Sequence, residues 1–97
     1  MTPYKKIEVI TSAVELGAIE KKLHKAGITG YTIIRDVIGS GNRGRHAGDE
    51  LTGVFTNVYV LIACPPSNLD KVVEAIRPII KIHGGVCLVS DVQSLKS

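Results

Sequence analysis

The chain has 97 residues, of which 44% are hydrophobic and 22% are charged, and its formal net charge is +3. This length favours a single domain over residues 1–97, and the composition is ordinary for a globular protein with a buried core. No apolar run is long enough to cross a bilayer and no secretory leader is recognised, so we expect a cytoplasmic protein. A charge this small suits a small anionic ligand better than it suits nucleic acid.

The first elements predicted along the chain are a strand and a helix. Lys5–Ile10 alternates polar and apolar residues and is rich in β-branched side chains, which is typical of a strand. Ser12 and Glu15 have the spacing of a capping box and predict the start of a helix that Gly27 ends. The residues expected on its apolar side are Val14, Ile19 and Leu23, and those expected in water are Glu20, Lys21, Lys22 and Lys25.

Two more strands are predicted, one on each side of a long glycine-rich segment. Residues 29–38 predict the second strand, and residues 56–64 predict a third strand that is apolar enough to lie centrally in a sheet. Because apolar side chains occur on both faces of the third strand, we expect the face without helices to contact other copies of the chain. The sequence therefore predicts a homo-oligomer.

A second helix and a last strand complete the pattern. Ser67 and Asp70 repeat the capping spacing, and Pro78 is expected to bend or end the helix at the preceding residue. A short glycine turn at 81–85 then leads into a strand at 86–92. The order strand, helix, strand, strand, helix, strand predicts an α+β, ferredoxin-like βαββαβ fold.

The glycine-rich segment between the second and third strands is the strongest candidate for ligand binding. Residues 39–48 contain four glycines and three basic side chains. Glycine lets backbone amides approach an anion closely, and the planar donors of Arg43 and Arg45 suit phosphate or carboxylate groups. The alternative is a solvated loop in which these arginines pair with Asp49 and Glu50.

Three motifs, in the right order along the chain, resemble those of the PII signalling superfamily. Residues 26–32 read A-G-I-T-G-Y-T, close to the family's A/V-G-I-T-G-x-T, and residues 39–41 read G-S-G where the family has G-F-G. Residues 81–92 read K-I-H-G-G-V-C-L-V-S-D-V, which is similar to the family's last loop and strand. Each motif alone is weak, whereas the ordered set is fairly specific.

The resemblance implies a homotrimer with nucleotide sites in the clefts between subunits. It also implies a long T-loop at about 39–55, between strands 2 and 3, and a B-loop at about 81–86. Carried over by motif, the residues beside the adenine are Thr32 and Ala63. Those around the phosphates are Gly39, Ser40, Gly41, Lys81, His83, Gly84 and Gly85, and those for phosphate or bicarbonate are Arg43, Arg45 and Gly41. For His83, a solvent-exposed turn histidine is an equal alternative.

Departures from the nitrogen-regulating pattern change the expected ligands. The loop contains no tyrosine, Arg43 stands where those members have a magnesium-coordinating glutamine, and Val86 replaces a lysine. The C-terminal Arg-x-Arg pair of that type is also missing. Since each charge-assisted contact with phosphate is worth ~1.5–3 kcal/mol, these losses favour ADP or AMP over ATP.

The loop is instead similar to that of PII-like proteins linked to inorganic carbon, including carboxysome-associated members and regulators of a bicarbonate transporter. This resemblance implies bicarbonate as a second ligand. It also implies a target such as a bicarbonate transporter or a carboxysome component. The alternatives are a nitrogen-regulatory PII protein that binds ATP and 2-oxoglutarate, or a structural ferredoxin-like trimer without nucleotide binding.

Other reactive side chains predict no further chemistry. His46 has no second ligand at metal spacing, so no metal is predicted, and Cys64 and Cys87 lie in apolar strands as expected of buried free thiols. No constellation of nucleophile, base and acid is recognised, and we expect a protein that is not an enzyme.

Overall fold

The computed structural model describes residues 1–39 and 56–95. Its elements in chain order are β1 (Thr2–Ser12), a 3-10 turn (Ala13–Glu15), α1 (Leu16–Lys25), β2 (Thr32–Val37), β3 (Asn57–Cys64), a second 3-10 turn (Pro66–Asn68), α2 (Leu69–His83) and β4 (Val86–Ser94). The strands form one sheet in the order β2-β3-β1-β4, and every neighbouring pair is antiparallel. The predicted ferredoxin-like α+β fold is confirmed, and β3 is central as expected.

One face of the sheet carries both helices and the core. Ile7 and Val9 of β1 are fully buried, and their register partners on β3, Ile62 and Val60, are buried beside them. The full set of buried apolar side chains is Ile7, Val9, Leu16, Ile19, Leu23, Ile28, Val58, Val60, Ile62, Cys64, Val72, Ile76 and Ile79. The period-two pattern of the central strands therefore places one row of side chains beneath the helices.

The start of the first helix differs from the prediction. Val14 is 78% exposed rather than on the apolar side, and Leu16 is buried instead. The cause is the 3-10 turn over residues 13–15, which has three residues per turn and shifts the helical register before α1 begins. Ser12 does act as a cap, because its Oγ accepts a hydrogen bond from the Val14 N–H at 3.4 Å, but it caps this turn and not the α-helix.

Pro78 was expected to bend or end the second helix, and it does not end it, because α2 continues to His83. Proline removes one N–H donor and crowds the carbonyl four residues earlier, that of Glu74. Glu74 and Pro78 are both exposed, so water can bond that carbonyl, while Ile76 and Ile79 anchor the opposite side in the core. Burial of the apolar side outweighs the local cost of proline.

The second strand is shorter than predicted. Residues 28–31 link α1 to β2 because Gly27 adopts φ +82° and Ile28 turns inward, where it is 7% exposed. An irregularity between Ile34 and Val37 interrupts the pairing with β3, and Asp36 has φ +60°. Pairing resumes at Val37, so β2 leaves the sheet beside the start of β3.

The second face of the sheet is covered by neither of the two helices that the structure describes. A row of register partners, Tyr59, Ile10 and Val86, crosses this face, and the next row contains Leu61, Glu8 and Leu88. Leu88 is 54% exposed and Ile34 is 53% exposed. We call this surface the open face. Among the residues that the structure describes, no helix is long and apolar enough to span a membrane.

Candidate functional site

A turn of two glycines joins α2 to β4 and lies at the end of the central strands. Gly84 has φ +83° and ψ 177°, and Gly85 has φ +117°. These backbone angles favour glycine because a Cβ atom would be strained there. The Gly84 N–H donates to the Ile80 carbonyl oxygen at 2.9 Å and closes the helix. The predicted glycine turn is therefore confined to two residues, since 81–83 form the last turn of α2.

The end of β1 holds this turn in place. Thr11 is fully buried, and its Oγ1 donates a hydrogen bond to the Gly84 carbonyl oxygen at 2.9 Å. A Cβ atom on Gly85 would collide with the Ile10 carbonyl oxygen and would lie 3.0 Å from both Cβ and Oγ1 of Thr11. The backbone of the turn thus packs directly on β1 at a place where only glycine fits.

Thr11 was absent from the predicted site residues. Its signal in the sequence is faint: it is a hydroxyl residue at a position whose period-two neighbours, Ile7 and Val9, face the core. A buried hydroxyl requires a hydrogen-bond partner, so this position could have been flagged as a polar contact inside an apolar row. The partner itself is 73 positions away in the chain and could not be read from the pattern.

His83 points toward the junction of β1 and α1. Its Nε2 lies 3.4 Å from Oε1 of Glu15, whose side chain is 15% exposed while that of His83 is 45% exposed. The histidine is thus a helix residue with an acidic neighbour, not an isolated residue in a turn. This contact gives the last turn of α2 a second attachment to the segment that also contributes Thr11.

Lys81 lies on another side of α2, in a groove between this helix and β4. The groove has a volume of about 450 Å³ and is lined by Val73, Arg77, Ile80, Lys81, Cys87 and Val89. Arg77 and Lys81 are one helical turn apart, so two cations border an otherwise largely apolar groove. Burial raises the pKa of the Cys87 thiol, and the charge of Arg77 offsets part of this rise.

Both cysteines are free thiols, and Cys64 is buried as predicted whereas Cys87 is less buried than predicted. Cys64 is buried within the core, and Cys87 is half-buried at the groove. Burial also raises the pKa of Cys64. Within residues 1–39 and 56–95, no group of three or more histidine, cysteine, aspartate or glutamate side chains is arranged to hold a metal ion.

The predicted adenine-contacting residues lie apart from the glycine turn, because Thr32 is on the edge strand β2 and Ala63 is on β3, whereas the turn leads into the opposite edge strand β4. Thr32 pairs with Leu61, and Ala63 pairs with Lys6, whereas Val86, which follows the turn, pairs with Ile10. Lys6 and Ile10 are four residues apart on one strand, a separation of about 13 Å at ~3.3 Å per residue. The structure therefore divides the predicted site into two groups.

The structure describes only some of the residues that are predicted to contact phosphate. Gly39 follows β2 two residues after Val37, whose pairing with Asn57 brings it to the same end of the sheet as Gly84 and Gly85. Lys81 and His83 also lie at this end, on different sides of α2. Ser40, Gly41, Arg43 and Arg45 lie outside the described residues.

Two tyrosines make hydrogen bonds to glutamates through their hydroxyl groups. Tyr59 Oη donates to Glu8 Oε2 at 2.6 Å on the open face, and Lys6 Nζ is 3.9 Å from the other oxygen of Glu8. The hydrogen bond to Glu8, with a smaller contribution from burial, raises the pKa of Tyr59. Tyr31 lies just before β2 rather than within it, and its Oη donates to Glu20 of α1 at 2.9 Å.

Comparisons with known proteins identify relatives across nearly the whole chain. The family model for nitrogen regulatory protein P-II matches residues 4–97. CPII, a nitrogen regulatory PII-like protein from Thiomonas intermedia K12 solved with ADP, AMP and bicarbonate, is 26% identical; the match covers 98% of this chain and 96% of that one, with a TM-score of 0.80. A second CPII structure, bound to ADP and bicarbonate, is 28% identical over 95% of this chain and 88% of that one, with a TM-score of 0.77.

A more distant likeness supports the fold alone. The GlnK–ATP complex of B. subtilis is 20% identical over 95% of this chain and 84% of that one, with a TM-score of 0.69. No protein of curated function matches the sequence significantly.

Proposed function

The chain belongs to the nitrogen regulatory protein P-II family of signalling proteins, and from this premise we propose that it binds ADP or AMP together with bicarbonate. The observation that carries this proposal is its likeness, over 98% of its length, to a PII-like protein solved with those three ligands. The glycine turn supports it from the geometry. Its Gly84 N–H is taken by the Ile80 carbonyl oxygen, and the Gly85 N–H is the backbone donor that this positive-φ turn offers to an anion.

We further propose that the site is completed between protomers of a homotrimer. Ala63 lies about 13 Å along the strands from the glycine turn, and Thr32 is on the edge strand β2, opposite the edge strand β4 that follows the turn, so neither group by itself offers contacts for both adenine and phosphate. Placing Thr32 and Ala63 of one protomer next to the glycine turn of its neighbour would supply both contacts. The apolar rows of the open face, with Leu88 54% exposed, offer a surface through which such protomers would associate.

The T-loop at about 39–55 would provide the signal. In this proposal Gly39, Ser40 and Gly41 contact phosphate, and Arg43 and Arg45 contact phosphate or bicarbonate, joined by Lys81 and His83. A loop rich in glycine is costly to order, so ligand contacts would shift its population toward one conformation. The ordered loop would then control a cytoplasmic target in inorganic-carbon metabolism, such as a bicarbonate transporter or a carboxysome component. The protein would act as a regulator and not as an enzyme.

Calorimetry tests the ligands directly. AMP, ADP and ATP are each titrated with and without bicarbonate, and ATP is also titrated with 2-oxoglutarate and magnesium. We expect binding of AMP and ADP to strengthen with bicarbonate and 2-oxoglutarate to have no effect. In a thermal-shift assay, a ligand at 100 times its Kd should stabilise the protein by ~2.7 kcal/mol.

A pair of charge variants links the binding to the proposed residues. Arg43→Ala should weaken the effect of bicarbonate, whereas Lys25→Ala, which removes an exposed cation of α1, should leave it unchanged. Absence of any heat with adenylates would refute the proposed function. Equal heats with and without bicarbonate would remove the carbon-sensing part of it.

A further inference from the structure

We propose that Thr11 is a positioning residue that sets the orientation of the glycine turn and thereby the affinity for the phosphate part of the nucleotide. This inference rests on the proposed function for its ligand, but its structural part stands on the contacts of β1 with the turn. Thr11 is fully buried and belongs to the row of β1 that faces the helices. It would not contact the ligand itself.

The hydroxyl of Thr11 has a role that packing does not explain. Valine has nearly the same shape and would fill the same buried position, next to Val9 in the row and paired with Val58, without burying a polar group. A buried hydroxyl is tolerated when it is hydrogen-bonded, and the bond it makes is to the Gly84 carbonyl oxygen at 2.9 Å. The polar atom thus joins β1 to the turn.

This bond fixes the direction of a backbone donor. In a trans peptide the carbonyl of Gly84 and the N–H of Gly85 lie in one plane and point in opposite directions, and the chain has no cis peptide bond among its described residues. Holding the Gly84 carbonyl against Thr11 therefore turns the Gly85 N–H away from β1. That is the orientation in which the amide can meet a ligand outside the strand.

Because Gly85 packs closely on Thr11, Thr11 also restricts the position of the turn sterically. Thr11 Cβ and Oγ1 both lie 3.0 Å from the place where a Gly85 side chain would begin. Steric contact with Thr11 prevents the turn from moving closer to β1. Rotation of the Gly84–Gly85 peptide would break the hydrogen bond from Thr11 to the Gly84 carbonyl oxygen. The Glu15–His83 contact at 3.4 Å attaches the preceding helical turn to the same segment of chain, so the turn is held at two points.

Three variants isolate the hydroxyl. Thr11→Val keeps the volume and removes the donor, Thr11→Ser keeps the donor, and Thr2→Val makes the matched change at the far end of the same strand. If the hydrogen bond holds the free turn in its binding orientation by ~1.4 kcal/mol, removing it lowers the population of that orientation about tenfold, so we expect ADP to bind Thr11→Val about tenfold more weakly than wild type. Thr11→Ser and Thr2→Val should stay near the wild-type Kd.

Adenosine distinguishes positioning from general damage. It lacks phosphate, so its Kd should be unchanged in Thr11→Val if the residue acts only through the glycine turn. Equal weakening of ADP and adenosine would overturn the proposal, as would an unchanged Kd for ADP or a loss in Thr11→Ser as large as in Thr11→Val. If Thr11→Val does not fold, Thr11→Ala is compared with Thr11→Ser, because these differ chiefly by the hydroxyl.

A measurement without ligand separates this proposal from the proposed function. Amide hydrogen exchange at Gly84, Gly85 and Val86, followed by NMR, should quicken in Thr11→Val and stay near wild type in Thr11→Ser. If the wild-type protein binds no adenylate, the proposed function fails and the exchange rates alone decide whether Thr11 orders the turn. Unchanged exchange in Thr11→Val would refute that ordering.

Discussion

Replacing Gly85 with alanine should lower the free energy of unfolding by roughly 3 kcal/mol, and the contributions can be traced to named atoms. Alanine at φ +117° occupies a backbone region that costs ~1–3 kcal/mol for a residue with a side chain. Its methyl group would collide with the Ile10 carbonyl oxygen and press on Thr11 at 3.0 Å. To relieve these contacts the turn must move off β1, which breaks the hydrogen bond from Thr11 and leaves a buried hydroxyl at a cost of ~1–3 kcal/mol.

Two other glycines provide matched controls. Gly27 has φ +82°, but a Cβ atom there would meet no atom of the described residues within 4 Å, so Gly27→Ala should show only the backbone cost of ~1–2 kcal/mol. Gly17 lies in α1 with open space around it, and Gly17→Ala should stabilise the helix by ~0.5–1 kcal/mol. The three variants therefore separate steric contact, backbone strain and helix propensity.

The assay is equilibrium unfolding in urea at fixed protein concentration, so that any association contributes equally to all variants. Far-UV circular dichroism follows the helices, and the midpoints are compared with that of the wild type. We expect the order Gly17→Ala, wild type, Gly27→Ala, Gly85→Ala from most to least stable. If Gly85→Ala lost no more stability than Gly27→Ala, the close packing of the turn on β1 would be refuted.

Three further predictions concern the open face and the thiols. Leu88→Glu places a charge on the exposed open face and should reduce self-association in sedimentation velocity; an unchanged sedimentation coefficient would contradict the proposed interface. The pKa of Tyr59 is raised above its ordinary 10.0 by its bond to Glu8, so the stability from this pair is complete below about pH 10 and is lost as pH rises through the folded-state pKa. As the pH rises through that range, the urea midpoint of Tyr59→Phe should fall less steeply than that of the wild type. Equal slopes would disprove that the Tyr59–Glu8 hydrogen bond contributes to this pH dependence. Because burial raises both thiol pKa values, Cys87 should react slowly with a disulfide reagent at neutral pH and the buried Cys64 more slowly still; the reverse order would be inconsistent with the fold.

The sequence predicted most of the fold because the fold is carried by local periodicity. Alternating residues in β1 and β3 located the central strands, and Gly27 located the end of α1. The errors occurred where a local rule competed with packing. Pro78 did not end α2 because its surroundings face water while Ile76 and Ile79 are buried, and Val14 moved into solvent because a 3-10 turn precedes α1.

The candidate site was less predictable than the fold. The special role of Gly84 and Gly85 could be predicted from residue type, since positive φ favours glycine. Their attachment to Thr11 could not, because it depends on the pairing of β1 with β4, which joins residues at opposite ends of the chain. Nor could a linear motif show that Thr32 lies on the edge strand opposite β4, the strand that follows this turn.

That separation bears on how defective chains would behave in mixtures. A protomer damaged near Thr32 keeps an intact glycine turn, and a protomer damaged at the turn keeps an intact surface around Thr32. If each cleft combines the Thr32 region of one protomer with the glycine turn of its neighbour, co-assembly of the two defective chains would restore some working clefts, although neither chain works alone. Such rescue between mutant copies would show up as partial nucleotide binding after the two proteins are unfolded and refolded together, and a site housed within one chain could never produce it.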